Sequence, residues 1–159
     1  MSHSELKAKK EREIFGKFLN ARGLLCDESL IENRAPPEPD ILYSSAPDEK
    51  VAFELTEMCS EEIAEAISKD LRSGDCTYVR TSDPSVGILT DKLSKTYASE
   101  YPIELLCYTN GRTVSPDSFV IERVRHFLRL DKGQFRRIWF WGKEVHLLYD
   151  NSEDNANHP

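Results

Sequence analysis

Apolar residues recur along this chain at two spacings, which distinguish predicted helices from predicted strands. Near the start, four apolar residues at helical spacing predict a helix over Ser4–Ala21. Apolar and polar residues alternate over Val51–Thr56, which predicts a strand, and the apolar run Ile41–Tyr43 predicts its neighbour. Pro47 and Asp48 are turn residues between the two strands, so together these features predict a β-hairpin.

Helical and strand patterns also follow one another through the rest of the chain. Predicted helices begin at Ser60, Val86 and Ser115, each with an apolar stripe. The remaining predicted strands are Tyr78–Arg80, Ile103–Thr109 and the two arms of a closing hairpin, Phe135–Trp141 and Glu144–Tyr149. This order predicts one α/β domain over residues 1–149, built on a mixed sheet of about four to six strands that helices flank.

Three stretches lie outside these patterns. Leu24–Cys26 is expected to form a short extended piece. Asp27–Pro39 is expected to be irregular, because the prolines at its end exclude a helix there. The end of the chain, Asp150–Pro159, is polar and acidic, so we expect a disordered tail.

Composition narrows the class of protein. The chain has 159 residues, of which 39% are hydrophobic and 31% charged, as is usual for a globular domain. It has no apolar run near the ~20 residues of a membrane span, and its first residues lack the apolar core of a secretion signal, so a cytoplasmic location is expected. Its four cysteines are scattered, so reduced thiols are expected rather than a zinc site.

The charge is distributed unevenly along the chain. The net charge is −7, yet the segment Arg112–Lys143 contains eight Lys or Arg and three Asp or Glu. Arg125 and Arg129 share a helix face, and Arg136 and Arg137 precede an aromatic strand. All four are candidate nucleic-acid contacts, since arginines can meet phosphates and aromatic rings can stack on bases. The alternatives are a solvated helix face and a core strand with a basic entry.

Carboxylates are the residues left to carry chemistry. The chain has no glycine-rich phosphate loop, no nucleophile elbow and no metal-ligand spacing of histidines. Asp40 stands at the entry of one hairpin strand and Glu54 lies inside the other, so the hairpin could bring both to one end of a sheet. Mg²⁺ prefers such oxygen ligands, with water and substrate phosphate completing its shell. The alternative is that the two acids only decorate the hairpin.

The sequence around these acids resembles a known motif. Pro39-Asp40, a spacer and Glu54-x-Thr56 on a hydrophobic strand resemble the motif of the restriction-endonuclease-like, or PD-(D/E)xK, nuclease superfamily. The resemblance implies a core of a helix, three strands, a helix and a fourth strand. It also implies that Asp40 and Glu54 hold Mg²⁺ (or Mn²⁺), assisted by Glu11 on the first helix, and that the metal activates water against a phosphodiester.

The chain departs from that motif at one position. The superfamily's lysine falls two residues after Glu54, where this chain has Thr56, which can hydrogen-bond but carries no charge. Lys69, on the helix predicted after the motif, is the best candidate for a relocated lysine. The alternative for Lys69 is an ordinary solvated helix lysine. The catalytic set implied by the resemblance is therefore Asp40, Glu54, Thr56 and Lys69.

Two functions are compatible with the resemblance. The first is a metal-dependent nuclease that hydrolyses phosphodiester bonds in DNA or RNA. The second is a protein that keeps the nuclease fold without cleavage and acts as a binding or regulatory module. The absent lysine, the small size and the net acidity favour the second, which could act as a homodimer, since many members of the fold dimerise. A third hypothesis is an ordinary α/β domain in which the motif is accidental.

Overall fold

A computed structural model describes residues 2–58, 85–110 and 116–151 of the chain. Within these residues the helices are α1 (His3–Ala21), α2 (Ser85–Ser94) and α3 (Asp117–Leu128), and a 3₁₀ turn spans Glu28–Leu30. The strands are β1 (Ile31–Asn33), β2 (Ile41–Ala46), β3 (Glu49–Glu57), β4 (Ile103–Tyr108), β5 (Arg137–Trp141) and β6 (Val145–Asp150). No helix in the described part of the chain is long and apolar enough to cross a membrane.

The six described strands form one mixed sheet in the order of the chain, from β1 to β6. β1, β2 and β3 run antiparallel, β3, β4 and β5 run parallel, and β6 returns antiparallel beside β5. Parallel neighbours require crossover connections, and the two crossovers are the segments that contain α2 and α3. The predicted α/β class with a mixed sheet and flanking helices is confirmed, as are the two predicted hairpins, β2-β3 and β5-β6.

Helix α1 covers one face of the sheet. Its start is fixed by a capping box, in which the Ser2 hydroxyl accepts from the Glu5 backbone N–H and the Glu5 carboxylate accepts from the Ser2 N–H. Its apolar stripe buries Phe15 and Phe18 completely. The ring of Phe15 lies 4.8 Å from that of Phe53 on β3, centroid to centroid. This packing holds β3 against α1 and directs its alternate residues to the opposite face.

Helices α2 and α3 cover that opposite face. α2 buries Leu89 and Leu93, and α3 buries Val120 and Val124, in one cluster with apolar residues of β4 and β5. The periodicity that predicted both helices is therefore confirmed, although α2 ends at Ser94, whereas the apolar pattern predicts a helix over Val86–Tyr97.

The region between α1 and β2 differs from the prediction. Leu24–Cys26, predicted to be extended, belongs to no strand, and Leu25 is 94% exposed. Asp27–Pro39, predicted to be irregular, contains the 3₁₀ turn and β1. β1 forms because Ile31 is buried and pairs with Tyr43 of β2, and local periodicity cannot report such a non-local pairing.

Smaller differences occur near the ends of two elements. α3 begins at Asp117, and Pro116 precedes it as the N-cap residue. The apolar stripe that predicts this helix includes Phe119 and Val120, and of these Phe119 is not buried but 44% exposed. β6 extends through Asp150, one residue beyond its predicted end.

Several predictions fall on residues that the structure does not describe. They are the helix that begins at Ser60, Lys69 on that helix, the strand Tyr78–Arg80, and the tail beyond Asn151.

The burial of Phe15 predicts a large effect on stability. Phe15→Ala should lower the free energy of unfolding by about 3–5 kcal/mol, because it removes a fully buried ring and leaves a cavity. Phe119→Ala is the matched control and should change it by less than about 1 kcal/mol, since that ring is 44% exposed. Urea denaturation of both variants provides the measurement, and equal losses would contradict the assignment of the core.

Candidate functional site

Asp40 and Glu54 meet at one end of the β2-β3 hairpin. Asp40 directly precedes β2, and its Oδ2 accepts a hydrogen bond from the backbone N–H of Leu55 on β3, at 3.0 Å. The negative charge of the Asp40 carboxyl acts on the Glu54 carboxyl and raises its pKa. The backbone pairing of the two strands therefore brings two acidic side chains together, as the hairpin prediction requires.

The surroundings of Glu54 oppose its ionisation. The residue is only 5% exposed, on the face of β3 that α2 and α3 cover. Burial, and after it the negative charge of Asp40, raise the pKa of Glu54 to about 7. A carboxyl group in this state can hold a proton near neutral pH, or exchange it for a cation.

Lys92 of α2 supplies positive charge to this pair. Its Nζ donates to Glu54 Oε1 at 2.8 Å, and this contact lowers the pKa of Glu54 against the larger effect of burial. The lysine was missed by the sequence analysis, which selected Lys69. The available signal was its position, since Lys92 follows Ile88 by four residues and directly precedes Leu93, so it lies beside the buried stripe of an amphipathic helix.

Glu11, on α1, interacts electrostatically with Asp40 from the other face of the sheet. Burial, and then the charge of Asp40, raise the pKa of Glu11, which also pairs with Lys7 one turn earlier on α1 at 3.4 Å. Burial lowers the pKa of Lys7, but the carboxylates of Glu11 and Asp40 outweigh it and raise that pKa overall. Glu11 is thus electrostatically coupled to Asp40, and its part in holding a metal ion stays a prediction.

The described residues do not assemble a cluster of three carboxylates. Among residues 2–58, 85–110 and 116–151, no group of three or more His, Cys, Asp or Glu side chains is placed to hold a metal ion. The described site is therefore a carboxyl pair, Asp40 and Glu54, with one bound lysine and one more distant acid. Thr56 is buried on the same face as Glu54, opposite Cys107 of β4.

The four candidate arginines fall into two groups. Arg125 of α3 and Arg129, the residue that follows its end, are exposed and line a groove of about 890 Å³ that His146 of β6 also borders. Arg136 and Arg137 form the second group, and the guanidinium of Arg136 donates to the buried carboxylate of Glu104.

Arg137 belongs to the second group. Its Nη1 lies 3.7 Å from Glu104, and its Nε donates to Asp150 at 3.2 Å. The same Glu104 accepts from the indole N–H of Trp139 at 2.8 Å. This aromatic strand with its basic entry is thus packed as part of the core, which was the alternative interpretation.

Comparison of the chain with protein-family models, with curated proteins and with solved structures finds no match.

The Lys92–Glu54 pair predicts a pH-dependent effect of mutation. Lys92→Met should lower the free energy of unfolding by about 1–3 kcal/mol at pH 8, because it leaves a buried, ionised carboxylate without its partner. At pH 5 the loss should be smaller, because Glu54, with its raised pKa, is protonated there in either protein.

The raised pKa of Glu54 determines how the stability of the protein changes with pH. In the wild type, its proton stabilises the folded state below pH 4.5, and this contribution is lost as the pH rises to about 7. In Lys92→Met the pKa of Glu54 should rise further, because Lys92 no longer lowers it, so this contribution should be lost at a higher pH than in the wild type. Urea denaturation between pH 5 and 8, with a chelator present, measures both, and Lys95→Met at an exposed position is the control. An equal loss at pH 5 and pH 8 would contradict this account of the pair.

Proposed function

We propose that this protein is a metal-dependent nuclease that hydrolyses phosphodiester bonds in nucleic acid. The observation that carries the proposal is the buried carboxyl pair of Asp40 and Glu54 at one end of the hairpin, with the pKa of Glu54 raised to about 7. Holding two acids together in this way costs free energy, and a bound cation would offset that cost. Perturbed carboxyls of this kind are typical of functional sites.

The order of the elements supports the proposal. The described chain runs α1, β1, β2, β3, α2, β4, and the PD-(D/E)xK resemblance implies a helix, three strands, a helix and a fourth strand. The resemblance also implies that both acids belong to the hairpin. Here Asp40 directly precedes β2 and Glu54 lies in β3. The motif and the order of the described elements both support the proposal.

The donor atoms of the pair suit a hard divalent cation such as Mg²⁺ or Mn²⁺. In the hydrogen bonds between described residues, Asp40 uses Oδ2 and Glu54 uses Oε1, so the second oxygen of each carboxyl can coordinate a cation. The remaining ligands would be water and substrate phosphate, as is usual for Mg²⁺. Glu11 would add negative charge near the cation.

Each residue of the site has a separate role in the proposed hydrolysis. When bound, the metal supplies Lewis-acid chemistry and a more acidic water. The hydrogen bond from Leu55 N–H holds the Asp40 carboxyl in position, and the ion pair with Lys92 holds the Glu54 carboxyl. Lys92 of α2 lies beside Glu54 and carries the positive charge that Thr56 lacks. There it would stabilise the negative charge that develops on the phosphate during hydrolysis. Arg125 and Arg129 offer a separate surface for the nucleic-acid backbone.

One observation favours the second function, a nuclease-fold module without cleavage. Within the described ranges no third acid joins the pair as a metal-binding group, and two carboxylates alone bind metal more weakly than three. Such a module would keep nucleic-acid or protein contacts and lose hydrolysis.

Metal binding and hydrolysis test the proposal together. Millimolar Mg²⁺ or Mn²⁺ should raise the melting temperature of the wild type, and Asp40→Asn should abolish that rise, because it removes one anionic ligand. Hydrolysis of labelled single- and double-stranded DNA and RNA should fall by at least about 100-fold in Asp40→Asn and in Glu54→Gln. Asp48→Asn, in the exposed hairpin turn, is the matched control.

The outcomes separate the two functions. A thermal shift that requires Asp40, without cleavage of any substrate, would favour the binding module. No thermal shift at millimolar metal would overturn the nuclease proposal.

A further inference from the structure

Tyr97 is held firmly on the face of the sheet that carries Glu54, where it packs against the apolar cluster that contains Ala52, Leu89 and Leu93. It follows the end of α2, and the side-chain amide of Gln134 binds its backbone on both sides, accepting from Tyr97 N–H at 2.8 Å and donating to Tyr97 C=O at 3.1 Å. The ring packs against Phe135 at a centroid distance of 5.8 Å. The next residue, Ala98, donates to the carbonyl of Pro37, in the proline-rich segment that leads into Asp40, at 3.0 Å.

The hydroxyl of Tyr97 is buried and unsatisfied. It has no hydrogen-bond partner within the described part of the chain, although a buried phenol normally finds one. Leaving such a group unpaired costs free energy. A rigidly held residue that carries this cost is typical of a site where a ligand completes the hydrogen bond.

The surroundings of this hydroxyl keep it a hydrogen-bond donor. Burial raises the pKa of Tyr97, and the negative charges of Glu54 and then Asp40 raise it further. The phenol therefore stays protonated at neutral pH, so it can donate a hydrogen bond but cannot act as a base or an anionic nucleophile. Because it bonds to neither carboxylate, its proton remains available to a third group.

We propose that the Tyr97 hydroxyl donates a hydrogen bond to a non-bridging oxygen of a phosphate group bound beside Asp40 and Glu54. The inference rests on the proposed function, since it assigns a phosphate ligand to the same site. A phosphate oxygen is a strong, charged acceptor, and hydrogen bonds to charged acceptors are stronger than those between neutral groups. Tyr97 would thus bind and orient the substrate, and Gln134 would position Tyr97.

Tyr97→Phe tests the proposal, because it removes the hydroxyl and keeps the ring that packs on Phe135. Without ligand, and with a chelator present, the variant should be at least as stable as the wild type and should melt about 2–4 °C higher, because the unsatisfied group is gone. Tyr149→Phe makes the same chemical change on β6 and is the matched control.

Ligand binding provides the second measurement. The probe is a nucleoside 5′-monophosphate with Mg²⁺, which has a phosphate but no diester to cleave, and the same nucleoside without phosphate is the reference. Calorimetric titration should show binding about 10- to 100-fold weaker in Tyr97→Phe than in the wild type or in Tyr149→Phe.

The results distinguish the inference from the proposed function. If the wild type and Tyr97→Phe bind the monophosphate equally, the role of Tyr97 is overturned and the nuclease proposal stands. If the wild type shows no phosphate-dependent binding although Mg²⁺ raises its melting temperature, the phosphate ligand is overturned, and the nuclease proposal is decided by the hydrolysis assay. If Tyr97→Phe is destabilised without ligand, the hydroxyl has a structural partner, and the role is again overturned.

Discussion

Backbone pairing holds the carboxyl groups of Asp40 and Glu54 together against their mutual repulsion. The hydrogen bond from Leu55 N–H to Asp40 fixes the first acid to the strand that carries the second. Phenylalanines of α1 press on one face of that strand, and the cluster under α2 and α3 lies on the other. The hairpin end therefore cannot open to separate the charges without disrupting two apolar layers. The electrostatic cost appears instead as the raised pKa of Glu54.

A second buried glutamate shows what a fully compensated carboxylate looks like in this fold. Glu104 of β4 pairs in register with Phe53 and faces α1, whereas Glu54 on the neighbouring strand faces α2. Glu104 accepts from Arg136 and from the indole of Trp139, so its charge is satisfied by fixed donors. Glu54 has one lysine and a like-charged neighbour. Two buried acids on adjacent strands thus differ in their environment, and the undercompensated one is suited to bind a cation.

Local patterns in the sequence were sufficient for much of this architecture. The alternate large apolar residues Val51, Phe53 and Leu55 indicated the correct face for Glu54, because a period of two leaves only two choices. The same patterns could not supply β1, which is stabilised by its pairing with β2 rather than by its own residues. They also could not identify Lys92, because its partner lies 38 positions away and periodicity gives the face of a helix without naming what it meets.

The parallel pairing of β3 with β4 also sets the order in which the site can be completed. The β2-β3 hairpin needs only a short turn, so both acids can come together through local contacts. Lys92 and Tyr97 lie on the crossover side, and they arrive only when that longer loop has closed and β4 has docked beside β3. During synthesis, a chain that emerges from the ribosome up to the hairpin carries both negative charges before the lysine that opposes them has been made.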